Sequence, residues 1–359
     1  MSGTSADGVD AVVAEFVQGR FRRLVATHHS AHPADLRGAL LALGRDSQAQ
    51  VPLSTLASLD VAIARQFAAA ALAVMQASGF KAKDIRAVGS HGQTVFHEPK
   101  RLGSSLQLGD PNHIAVLTGL PVVADFRRMD IALGGEGAPL VPAFHAAIFS
   151  DALPTAVVNI GGIANVTLLP GTSGGVARGH DCGPGNALMD EWVTHHLGTP
   201  YDQQGRFAAE GKILPALLSA WLSESYFALA PPKSTGRALF NLEWANALVK
   251  GGLAQFLPAD VQASLCELTA RTICEAIPNS TRRVLVCGGG AFNAHLMHRV
   301  EALLPSATVA STESAGLAPQ WVEAAAFAWL AHQRIHQLPG NLPSVTGASR
   351  LAVLGGLYG

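Results

Sequence analysis

The sequence predicts an α/β protein built from two related domains. The chain has 359 residues, 48% of them hydrophobic, which is more than one hydrophobic core usually supports. Apolar runs that end in glycine loops recur, at 156–160 before Gly161-Gly162 and at 284–287 before Gly288-Gly289-Gly290. Because open α/β sheets bind ligands just past the carboxyl ends of their strands, these loops predict where a ligand site lies.

The amino end is predicted to be sheet. Residues 9–16 and 21–27 are extended runs around the turn at 18–20, a pattern typical of a β-hairpin. A strand normally precedes a phosphate-binding loop, yet only two residues precede Gly3. We therefore expect either that the protein begins upstream or that its first sheet lacks one strand, which would leave backbone groups of the neighbouring strand unpaired.

A helix is predicted to follow this hairpin. Four apolar residues recur on one helical face: Ile63, Phe67, Ala71 and Val74. Gly79 marks the end of the helix. The apolar runs at 85–89 and 121–124 then predict two strands, each followed by polar residues that a ligand could contact.

The repeated pattern also suggests how the chain is divided. We expect one domain at 1–125, with about 330–359 packing back on it, and a second domain at 126–330. Glycines at 134–137 indicate a hinge, because glycine tolerates the backbone changes of domain closure. The small residues within 324–328 indicate a closely packed helix that connects the domains.

Composition narrows the class of partner. Lys and Arg number 25 and Asp and Glu 26, giving a formal charge of −1 without a basic block, so nucleic acid and membrane surfaces are disfavoured and a small molecule is favoured. The four cysteines lack metal-site spacing and indicate reduced thiols in a cytoplasmic protein. The most apolar helix, at 60–75, is interrupted by Arg65 and Gln66, so we expect no membrane span.

Three glycine-bearing loops together suggest a nucleotide-binding kinase. They are Gly3-Thr4-Ser5, Gly161-Gly162 and Gly288-Gly289-Gly290. Glycines let the backbone N–H groups approach a polyphosphate, and a carboxylate such as Asp7 can hold Mg²⁺. Each loop by itself is more readily explained as an ordinary strand-to-helix turn, since the chain contains 37 glycines.

Nine ordered motifs extend over the whole chain. They are MSGTSADGVD at 1–10, GSHGQTVFHEP at 89–99, QLGDPNHIA at 107–115, DFRRMDIALGGEGAPLVPAFH at 125–145, NIGGIANVTLL at 159–169, DCGPGNALMDEW at 181–192, PPKSTGRALFN at 231–241, VCGGGAFN at 286–293 and LPGNLPSVTGA at 338–348. In these motifs the sequence resembles the anhydro-N-acetylmuramic acid kinases, members of the acetate and sugar kinase, Hsp70 and actin superfamily.

The resemblance implies two actin-like, ribonuclease H-like domains with ATP and a sugar in a cleft between them. It implies that water opens the 1,6-anhydro bond of anhydro-N-acetylmuramic acid and that the released O6 takes the γ-phosphoryl group of ATP. The product would be N-acetylmuramate 6-phosphate, in the recycling of peptidoglycan. The resemblance also implies a cytoplasmic homodimer.

Asp181 is the predicted catalytic residue, by resemblance the general base. Water is a poor nucleophile towards an anomeric carbon, and a carboxylate within hydrogen-bond reach takes its proton. The alternative is that Asp181 caps the helix containing residues 188–192. Cys182 departs from the family pattern, in which a Thr commonly stands, so a hydroxyl is lost; we expect activity to survive.

The resemblance assigns the nucleotide to the glycine loops and their neighbours. The predicted ATP-binding residues are Gly3, Thr4, Ser5, Ala6, Asp7, Gly8, Val9, Asp10, Gly161, Gly162, Asn165, Gly288, Gly289, Gly290 and Asn293. Asp7 is the candidate ligand of the Mg²⁺ that accompanies ATP, and the alternative is that it caps a turn.

The sugar is predicted to contact a second polar set. Its members are His91, Gln93, Arg127, Asp130, Gly183, Asn186 and Glu323. Arg127 suits the lactyl carboxylate because its planar guanidinium forms paired hydrogen bonds. The alternatives are an ion pair for Arg127 and a structural hydrogen bond for His91.

Lys233 follows a proline pair in a loop that superficially resembles a phosphate-binding lysine motif. The required Gly-x4-Gly-Lys frame is missing, so the loop is either structural or a source of charge near the substrate. Two other functions stay open at this stage: a different sugar or carboxylate kinase, and a nucleotide-switched binding protein of the Hsp70 or actin kind.

Overall fold

The computed structural model describes residues 1–3, 6–45, 50–231 and 233–359. It forms two compact units: unit 1 comprises Met1–Ile148 and Trp321–Gly359, and unit 2 comprises Phe149–Gln320. From the sequence we expected the domain boundaries near residues 125 and 330.

The strands, in chain order, are β1 (Gly8–Val17), β2 (Arg20–Ala31), β3 (Val88–Gly89), β4 (Gln93–Glu98), β5 (Ser104–Leu108), β6 (Val122–Ala124), β7 (Thr155–Ile160), β8 (Ile163–Leu169), β9 (Arg178–Pro184), β10 (Arg283–Cys287), β11 (Thr308–Ser311) and β12 (Gly356–Tyr358). The α-helices are α1 (Ala34–Arg45), α2 (Leu53–Ser78), α3 (Pro99–Leu102), α4 (Pro111–Thr118), α5 (Arg128–Ala132), α6 (Val141–Phe149), α7 (Ala187–Leu197), α8 (Arg206–Glu210), α9 (Pro215–Leu222), α10 (Leu242–Ala247), α11 (Pro258–Glu275), α12 (Ala294–Leu303), α13 (Val322–Ile335) and α14 (Pro343–Thr346). The predicted α/β fold class is confirmed.

The strands of unit 1 form three separate sheets. β1 and β2 make the predicted hairpin, antiparallel from Gly8 opposite Ala31 to Val17 opposite Arg20. β3 pairs in parallel with β6, and β6 pairs antiparallel with β12. β4 and β5 form a second hairpin. The strand expected over 85–89 is confirmed only for Val88–Gly89.

Unit 2 contains one continuous five-stranded sheet in the order β11-β10-β7-β8-β9. β7 lies in the middle, parallel to β10 and antiparallel to β8. It is buried along nearly its whole length, which its near-continuous apolar sequence requires, because a strand covered on both faces has no polar side.

Each unit has its own core. In unit 1 the predicted helix forms as α2, and its Ile63 and Phe67 pack in one cluster with Val9 of β1. The helix ends where predicted, with Gly79 in the left-handed conformation at φ 75°. In unit 2 the buried side chains of β7 and β10 pack in one cluster with those of α11.

The alanine-rich helix α13 packs closely, as predicted, on the strands of unit 1. A Cβ added to Gly89 would lie 2.4 Å from the carbonyl oxygen of Phe327, so only glycine allows this helix to lie against β3. This contact places α13 against the sheet that contains β3 and β6. His91 follows β3, and Arg127 follows β6.

Two other predictions concern α2 and the cysteines. By length and composition alone α2 is a candidate membrane span, which is weak evidence because core helices pass the same test. The four cysteines are free thiols. Burial raises the pKa values of Cys266 and Cys274 to about 12, so these two thiols stay protonated at neutral pH.

Candidate functional site

A polar row crosses three strands of the unit 2 sheet. The strand registers place Asn159 of β7 opposite Asn165 of β8, and Asn165 opposite Asp181 of β9. Residues directly opposite each other on neighbouring strands project from the same face. Two amides and one carboxylate therefore lie side by side near the strand ends that carry the glycine loops.

Asp181 is held by its neighbours at three atoms. Its backbone N–H donates to the carbonyl oxygen of Lys233 at 3.1 Å, and its carbonyl oxygen accepts from the hydroxyl of Tyr226 at 2.8 Å. The backbone N–H of Thr235 donates to carboxylate Oδ2 at 3.0 Å. A half-buried carboxylate fixed in this way is oriented before any ligand arrives.

The alternative role for Asp181, capping the following helix, is wrong. Asp181 lies inside β9, and the residue at the N-cap position of α7 is Asn186. The helix therefore begins five residues later than a capping role would require.

The 233–237 loop supports Asp181 through its backbone. The ammonium group of Lys233 donates to the carbonyl oxygens of Tyr226 and Phe227 at 3.2 and 3.1 Å and lies 4.7 Å from the ring centroid of Tyr226. Burial lowers the pKa of Lys233. These contacts support a structural role for the 233–237 loop, one of the two roles that the sequence left open. Pro232, which precedes the loop, lies outside the described residues.

Asn186 joins the glycine loops of unit 2. Its side-chain amide donates to the carbonyl oxygen of Ile160 at 3.1 Å, and its backbone N–H donates to that of Gly161 at 2.8 Å. A Cβ added to Gly289 or Gly290 would lie 3.4 or 3.2 Å from the same side chain. The loops after β7 and β10 therefore meet at Asn186.

The close approach of these loops depends on glycine at several positions. An added Cβ at Gly185 would lie 2.3 Å from the carbonyl oxygen of Gly161, and one at Gly288 would lie 2.5 Å from Oδ1 of Asn159. At Gly183, where φ is 154°, it would meet the Phe227 ring at 2.8 Å. Glycine is therefore needed at these positions for the backbone segments to pack against each other.

Asn293, another of the predicted ATP-binding residues, caps the helix that follows the third glycine loop. Its Oδ1 caps α12 by accepting from the N–H of Leu296 at 3.0 Å, and the side chain is mostly buried. Its geometry is that of a structural residue that fixes the start of α12 immediately after the glycine loop.

In unit 1, Arg127 and His91 form a buried pair. The guanidinium donates from Nη2 to Nε2 of His91 at 2.7 Å and from Nη1 to the carbonyl oxygen of Gly137 at 2.7 Å. Burial, together with the Arg127 charge, holds the pKa of His91 well below its usual range, so its ring is neutral. Burial also lowers the pKa of Arg127 to about 10, which leaves it charged at neutral pH.

Glu323, in the first turn of α13, belongs to the same cluster. Its negative charge raises the pKa values of both Arg127 and the amino group of Met1, each of which burial lowers. The amino group of Met1 in turn lowers the pKa of His91. Two basic groups therefore act on the neutral imidazole, and the charge of Glu323 acts on both of them.

Asp130 instead binds protein donors with both carboxylate oxygens. Oδ2 accepts from the N–H of Gly137 at 2.9 Å, and Oδ1 accepts from Asn341 Nδ2 and Thr346 Oγ1, both at 2.8 Å. Asp130 is fully buried. This geometry favours a structural role, in which Asp130 holds the loop whose carbonyl group binds Arg127.

The same contacts restrain the predicted hinge at 134–137. An added Cβ at Gly135 would lie 2.3 Å from Asp130 Oδ2, and the N–H of Glu136 donates to the carbonyl oxygen of Thr346 at 2.8 Å. In this structure the segment 134–137 is therefore a loop held in one conformation by its contacts with Asp130 and Thr346.

The amino-terminal segment is held by both side-chain and backbone hydrogen bonds. The hydroxyl of Ser2 donates to Gln93 Oε1 at 2.6 Å, and Nε2 of Gln93 donates to the carbonyl oxygen of Gly3 at 3.0 Å. Gln93 is almost fully buried. Thr4 and Ser5, two of the predicted ATP-binding residues, lie outside the described residues.

The remaining residues of this loop turn directly into β1. Ala6 is buried with φ 50°, and an added Cβ at Gly8 would lie 2.3 Å from the carbonyl oxygen of Ser30. Val9 lies in the unit 1 core, whereas the carboxylate of Asp10 is paired with His29 at 2.7 Å.

Asp7, the candidate magnesium ligand, has an exposed carboxylate. Its Oδ1 accepts from Arg37 Nη2 at 2.8 Å, and 59% of the side chain is exposed. Among the residues that the structure describes, no group of three or more His, Cys, Asp or Glu side chains is arranged to hold a metal ion. A magnesium ion that arrives with ATP needs only one or two carboxylates, and Asp7 fits that requirement if it exchanges Arg37 for the metal.

Three residues of this arrangement were missed from the sequence. Asn159 could have been found, because it is the only polar residue in the apolar run 156–160. Tyr226 and Thr235 gave no signal, since they reach Asp181 across 45 and 54 residues of chain.

Comparisons with known proteins agree with the sequence motifs. The family model described as anhydro-N-acetylmuramic acid kinase matches residues 1–359. Curated relatives of that name include those of Shewanella halifaxensis, 49% identical over 367 residues, and Saccharophagus degradans, 47% identical over 367 residues. In both cases the match covers 100% of this chain and 97% of the relative.

Among solved structures, the chain is similar to an activator of 2-hydroxyisocaproyl-CoA dehydratase from Clostridium difficile with bound ADPNP. The TM-score is 0.42 at 12% identity, covering 92% of this chain and 96% of that one. A ROK hexokinase from Thermus thermophilus gives a TM-score of 0.33 at 12% identity, covering 88% and 98%. At these scores the likeness supports no further argument.

Proposed function

The chain belongs to the anhydro-N-acetylmuramic acid kinase family and is a kinase, and we propose that it uses ATP and water to convert 1,6-anhydro-N-acetylmuramic acid into N-acetylmuramate 6-phosphate. The observation that carries the site assignment is the placement of Asp181 in the polar row beside the glycine loops of unit 2. The match over the whole chain favours this reaction over the two alternatives, another sugar or carboxylate kinase and a nucleotide-switched binding protein.

The reaction balances with one water molecule. Water attacks C1 of the sugar and loses a proton to Asp181, while the bond between C1 and O6 breaks. O6 then forms a bond to the γ-phosphorus, and the bond from that phosphorus to ADP breaks. Because phosphorus accepts the departing O6, the second carboxylic acid of an ordinary glycosidase is not needed.

Asp181 suits the role of general base because its carboxylate is already oriented. The N–H of Thr235 fixes Oδ2, and the backbone of Asp181 is bonded on both sides. A base that must abstract a proton in one geometry loses little entropy when its position is set beforehand. Gly183 and Asn186, on the same motif, complete our proposed contacts to the sugar from unit 2.

The ATP phosphates are assigned to the glycine loops and to residues 3–10. Backbone N–H groups stabilise the charge of the transferring phosphoryl group, which is the main task in phosphoryl transfer. Asp7 would hold the accompanying Mg²⁺, which neutralises phosphate charge when bound. For Asn293 we propose that it acts by setting the start of α12.

The sugar carboxylate is assigned to Arg127. All three of its nitrogens already have protein partners, Nε and Nη2 at His91 and Nη1 at Gly137, so the guanidinium has a fixed plane. His91 and Gln93 would bind sugar polar groups nearby, with Glu323 positioning the cluster by its charge. For Asp130 we propose only an indirect role, through the Gly137 loop.

A substrate panel tests this function. ADP release is measured with 1,6-anhydro-N-acetylmuramic acid, N-acetylmuramic acid, glucose and acetate, and the product is identified by mass spectrometry. We expect release with the anhydro sugar alone and a product heavier than the substrate by one phosphoryl group and one water. Turnover with glucose or acetate but not the anhydro sugar would favour another kinase, and ATP hydrolysis without any sugar would favour a nucleotide switch.

We further propose that the protein acts in the cytoplasm as a homodimer, on the basis of the family resemblance alone. Analytical ultracentrifugation at micromolar concentration tests the second point. A sedimentation coefficient of a single chain would contradict it.

A further inference from the structure

The hairpin of β4 and β5 has one apolar face and one polar face. In β5, Ser105 and Gln107 alternate with Leu106 and Leu108, and the two leucines pack in or against the unit 1 core. Because successive side chains of a strand point to opposite faces, Ser105 and Gln107 point away from that core. The polar face is therefore not needed to bury the hairpin and is open to contacts of another kind.

An irregularity in β4 adds two more polar side chains to this face. Thr94 lies opposite Gln107 and His97 lies opposite Ser105, and the register shifts between Thr94 and Phe96. Residues opposite each other project from the same face, so the bulge brings His97 to the side of Thr94. Bulges often re-aim side chains next to functional sites. We call Thr94, His97, Ser105 and Gln107 the hairpin stripe.

A chain of hydrogen bonds joins the hairpin stripe, and the donors in it can be assigned. The hydroxyl of Ser105 donates its one hydrogen to the carbonyl oxygen of Phe96 at 3.3 Å. Its oxygen therefore accepts from Gln107 Nε2 at 2.6 Å and from His97 Nδ1 at 2.9 Å. Gln107 Nε2 also donates to Thr94 Oγ1 at 3.3 Å. Both hydrogens of the Gln107 amide are thus used within the stripe.

Gln107 and His97 each keep an acceptor atom for a ligand. Among the residues that the structure describes, no donor reaches Oε1 of Gln107. The surrounding protein partly desolvates the His97 ring, and the charge of Arg127 acts in the same direction, so the pKa of His97 is lowered and the ring is neutral at neutral pH. Its hydrogen is on Nδ1, which leaves a lone pair on Nε2. Both side chains reach solvent, since His97 is exposed and Gln107 half-buried.

The hairpin stripe adjoins the pair formed by Arg127 and His91. A Cβ added to Gly92 would lie 3.2 Å from Cβ of Gln107 and 2.7 Å from the carbonyl oxygen of Leu108, so Gly92 packs directly on β5. His91, the preceding residue, accepts from Arg127 Nη2 at 2.7 Å. The helix α5, which begins just after Arg127, also packs against β5. Arg127 and the stripe are therefore close enough for one sugar to contact both.

We propose that Gln107 Oε1 and His97 Nε2 bind the hydrogen-bond donors of the sugar and so determine which ring substituents are accepted. This inference rests on the proposed function. At neutral pH 1,6-anhydro-N-acetylmuramic acid has two donors, the acetamido N–H at C2 and the hydroxyl at C4, and one carboxylate. Two acceptors match the two donors, whereas Arg127, which only donates, matches the carboxylate. A sugar that lacks one donor leaves an acceptor unpaired and binds less tightly.

Calorimetric binding of three sugars distinguishes this role from mere support of the hairpin. They are 1,6-anhydro-N-acetylmuramic acid and two analogues, in which hydrogen replaces either the acetamido group at C2 or the hydroxyl at C4. Gln107→Met and His97→Phe approximately preserve side-chain size and remove one acceptor each. Each variant should weaken binding of the full sugar about tenfold. Each should also bind one analogue as the parent does, a different analogue for each variant, because that analogue already lacks the paired donor.

A control and a second readout complete the test. Gln76→Met, at an exposed glutamine of α2, should bind all three sugars as the parent does. If Gln107→Met lowers the unfolding temperature, His97→Phe carries the test, because it leaves the bonds from Gln107 to Thr94 and Ser105 in place.

Equal losses of affinity for all three sugars would overturn the proposal, since they would indicate a general effect on the hairpin. Binding of the full sugar that neither variant weakens would also overturn it. ADP release by the parent is measured in the same preparations. The expected binding pattern without ADP release would contradict the proposed function and still support this inference, whereas ADP release with equal losses would do the reverse.

Discussion

The two units hold their glycine loops by different means. In unit 2 the Gly161-Gly162 loop continues from β7, a buried strand with a partner on each side. In unit 1 the described part of the amino-terminal segment is held by Gln93, which bonds Ser2 and Gly3, and by the pairing of Met1 with Asp10. The unit 2 loop is thus anchored by the strand that leads into it, whereas the unit 1 segment is anchored by one buried side chain and one pair of backbone hydrogen bonds.

The two units also differ in the chemical groups that they supply for the proposed reaction. Unit 2 supplies an oriented carboxylate and closely packed backbone, while unit 1 supplies Arg127 with a neutral imidazole beside it. We therefore expect changes in unit 2 to lower turnover and changes in unit 1 to weaken substrate binding or folding.

The largest effect should follow from Asp181→Asn. An amide cannot take a proton from water, so sugar-dependent ADP release should fall about 10²–10⁴-fold, while the circular dichroism spectrum stays unchanged. Glu191→Gln, at an exposed carboxylate on α7, is the matched control and should leave the rate as it is. A rate near that of the parent for Asp181→Asn would remove Asp181 from the reaction.

The amino-terminal amine gives unit 1 a distinctive pH dependence. Its pKa is lowered from 8.0 to about 6, so the unfolded chain binds more protons and stability rises as the pH increases from 6 to 8. Two pKa units correspond to about 3 kcal/mol. The attractive groups nearby, Asp10 and Glu323, reduce the shift without reversing it.

Urea unfolding measures this pH-dependent contribution to the free energy of unfolding. It compares the chain that retains Met1 with the same chain acetylated at its amino group. The acetylated chain keeps the N–H donor but loses the charge, so its stability should exceed that of the unmodified chain by about 3 kcal/mol at pH 5 and about 2 kcal/mol at pH 6, and the difference should vanish at about pH 9. Parallel pH profiles for the two chains would contradict the account.

The close packing of the unit 2 loops is tested by Gly185→Ala. The new Cβ would lie 2.3 Å from the carbonyl oxygen of Gly161, and such overpacking costs about 1–3 kcal/mol of unfolding free energy. Gly236→Ala is the control, because a Cβ there meets nothing within 4 Å. If both variants unfold alike, the loops are not as tightly packed as described.

Arg127→Lys should give the smallest effect. Lysine keeps the charge but loses the planar pair of bonds to His91 and Gly137, so KM for the sugar should rise about tenfold with little change in kcat. Arg128→Lys, at the exposed neighbouring position, should leave both constants as they are. A lower kcat at unchanged KM would place Arg127 in the chemical step instead.

The sequence predicted those features that depend on local pattern. The hairpin, α2 with its glycine end, and the strands before the Gly161 and Gly288 loops follow from periodicity and from the position of glycine. Asp181 was selected through its motif, and its catalytic role is our proposal. The row formed by Asn159, Asn165 and Asp181 could not be predicted, because it depends on the register of three strands.

Other features depend on contacts between distant parts of the chain. Asp130 looked like a sugar ligand because it follows a strand, but its partners Asn341 and Thr346 lie more than 200 residues downstream. Likewise, a cavity lined by residues 9–16 of β1 and residues 86–89 brings together segments about 75 residues apart, so the sequence could not predict it.

Turnover of the anhydro sugar in ¹⁸O-labelled water tests the central claim most directly. If water assisted by Asp181 opens the anhydro ring, the product should carry the label in its C1 hydroxyl and none in its phosphoryl group. Finished product incubated in the same water gives the background exchange at C1. Label in the phosphoryl group, or a C1 oxygen no more labelled than this background, would contradict the account.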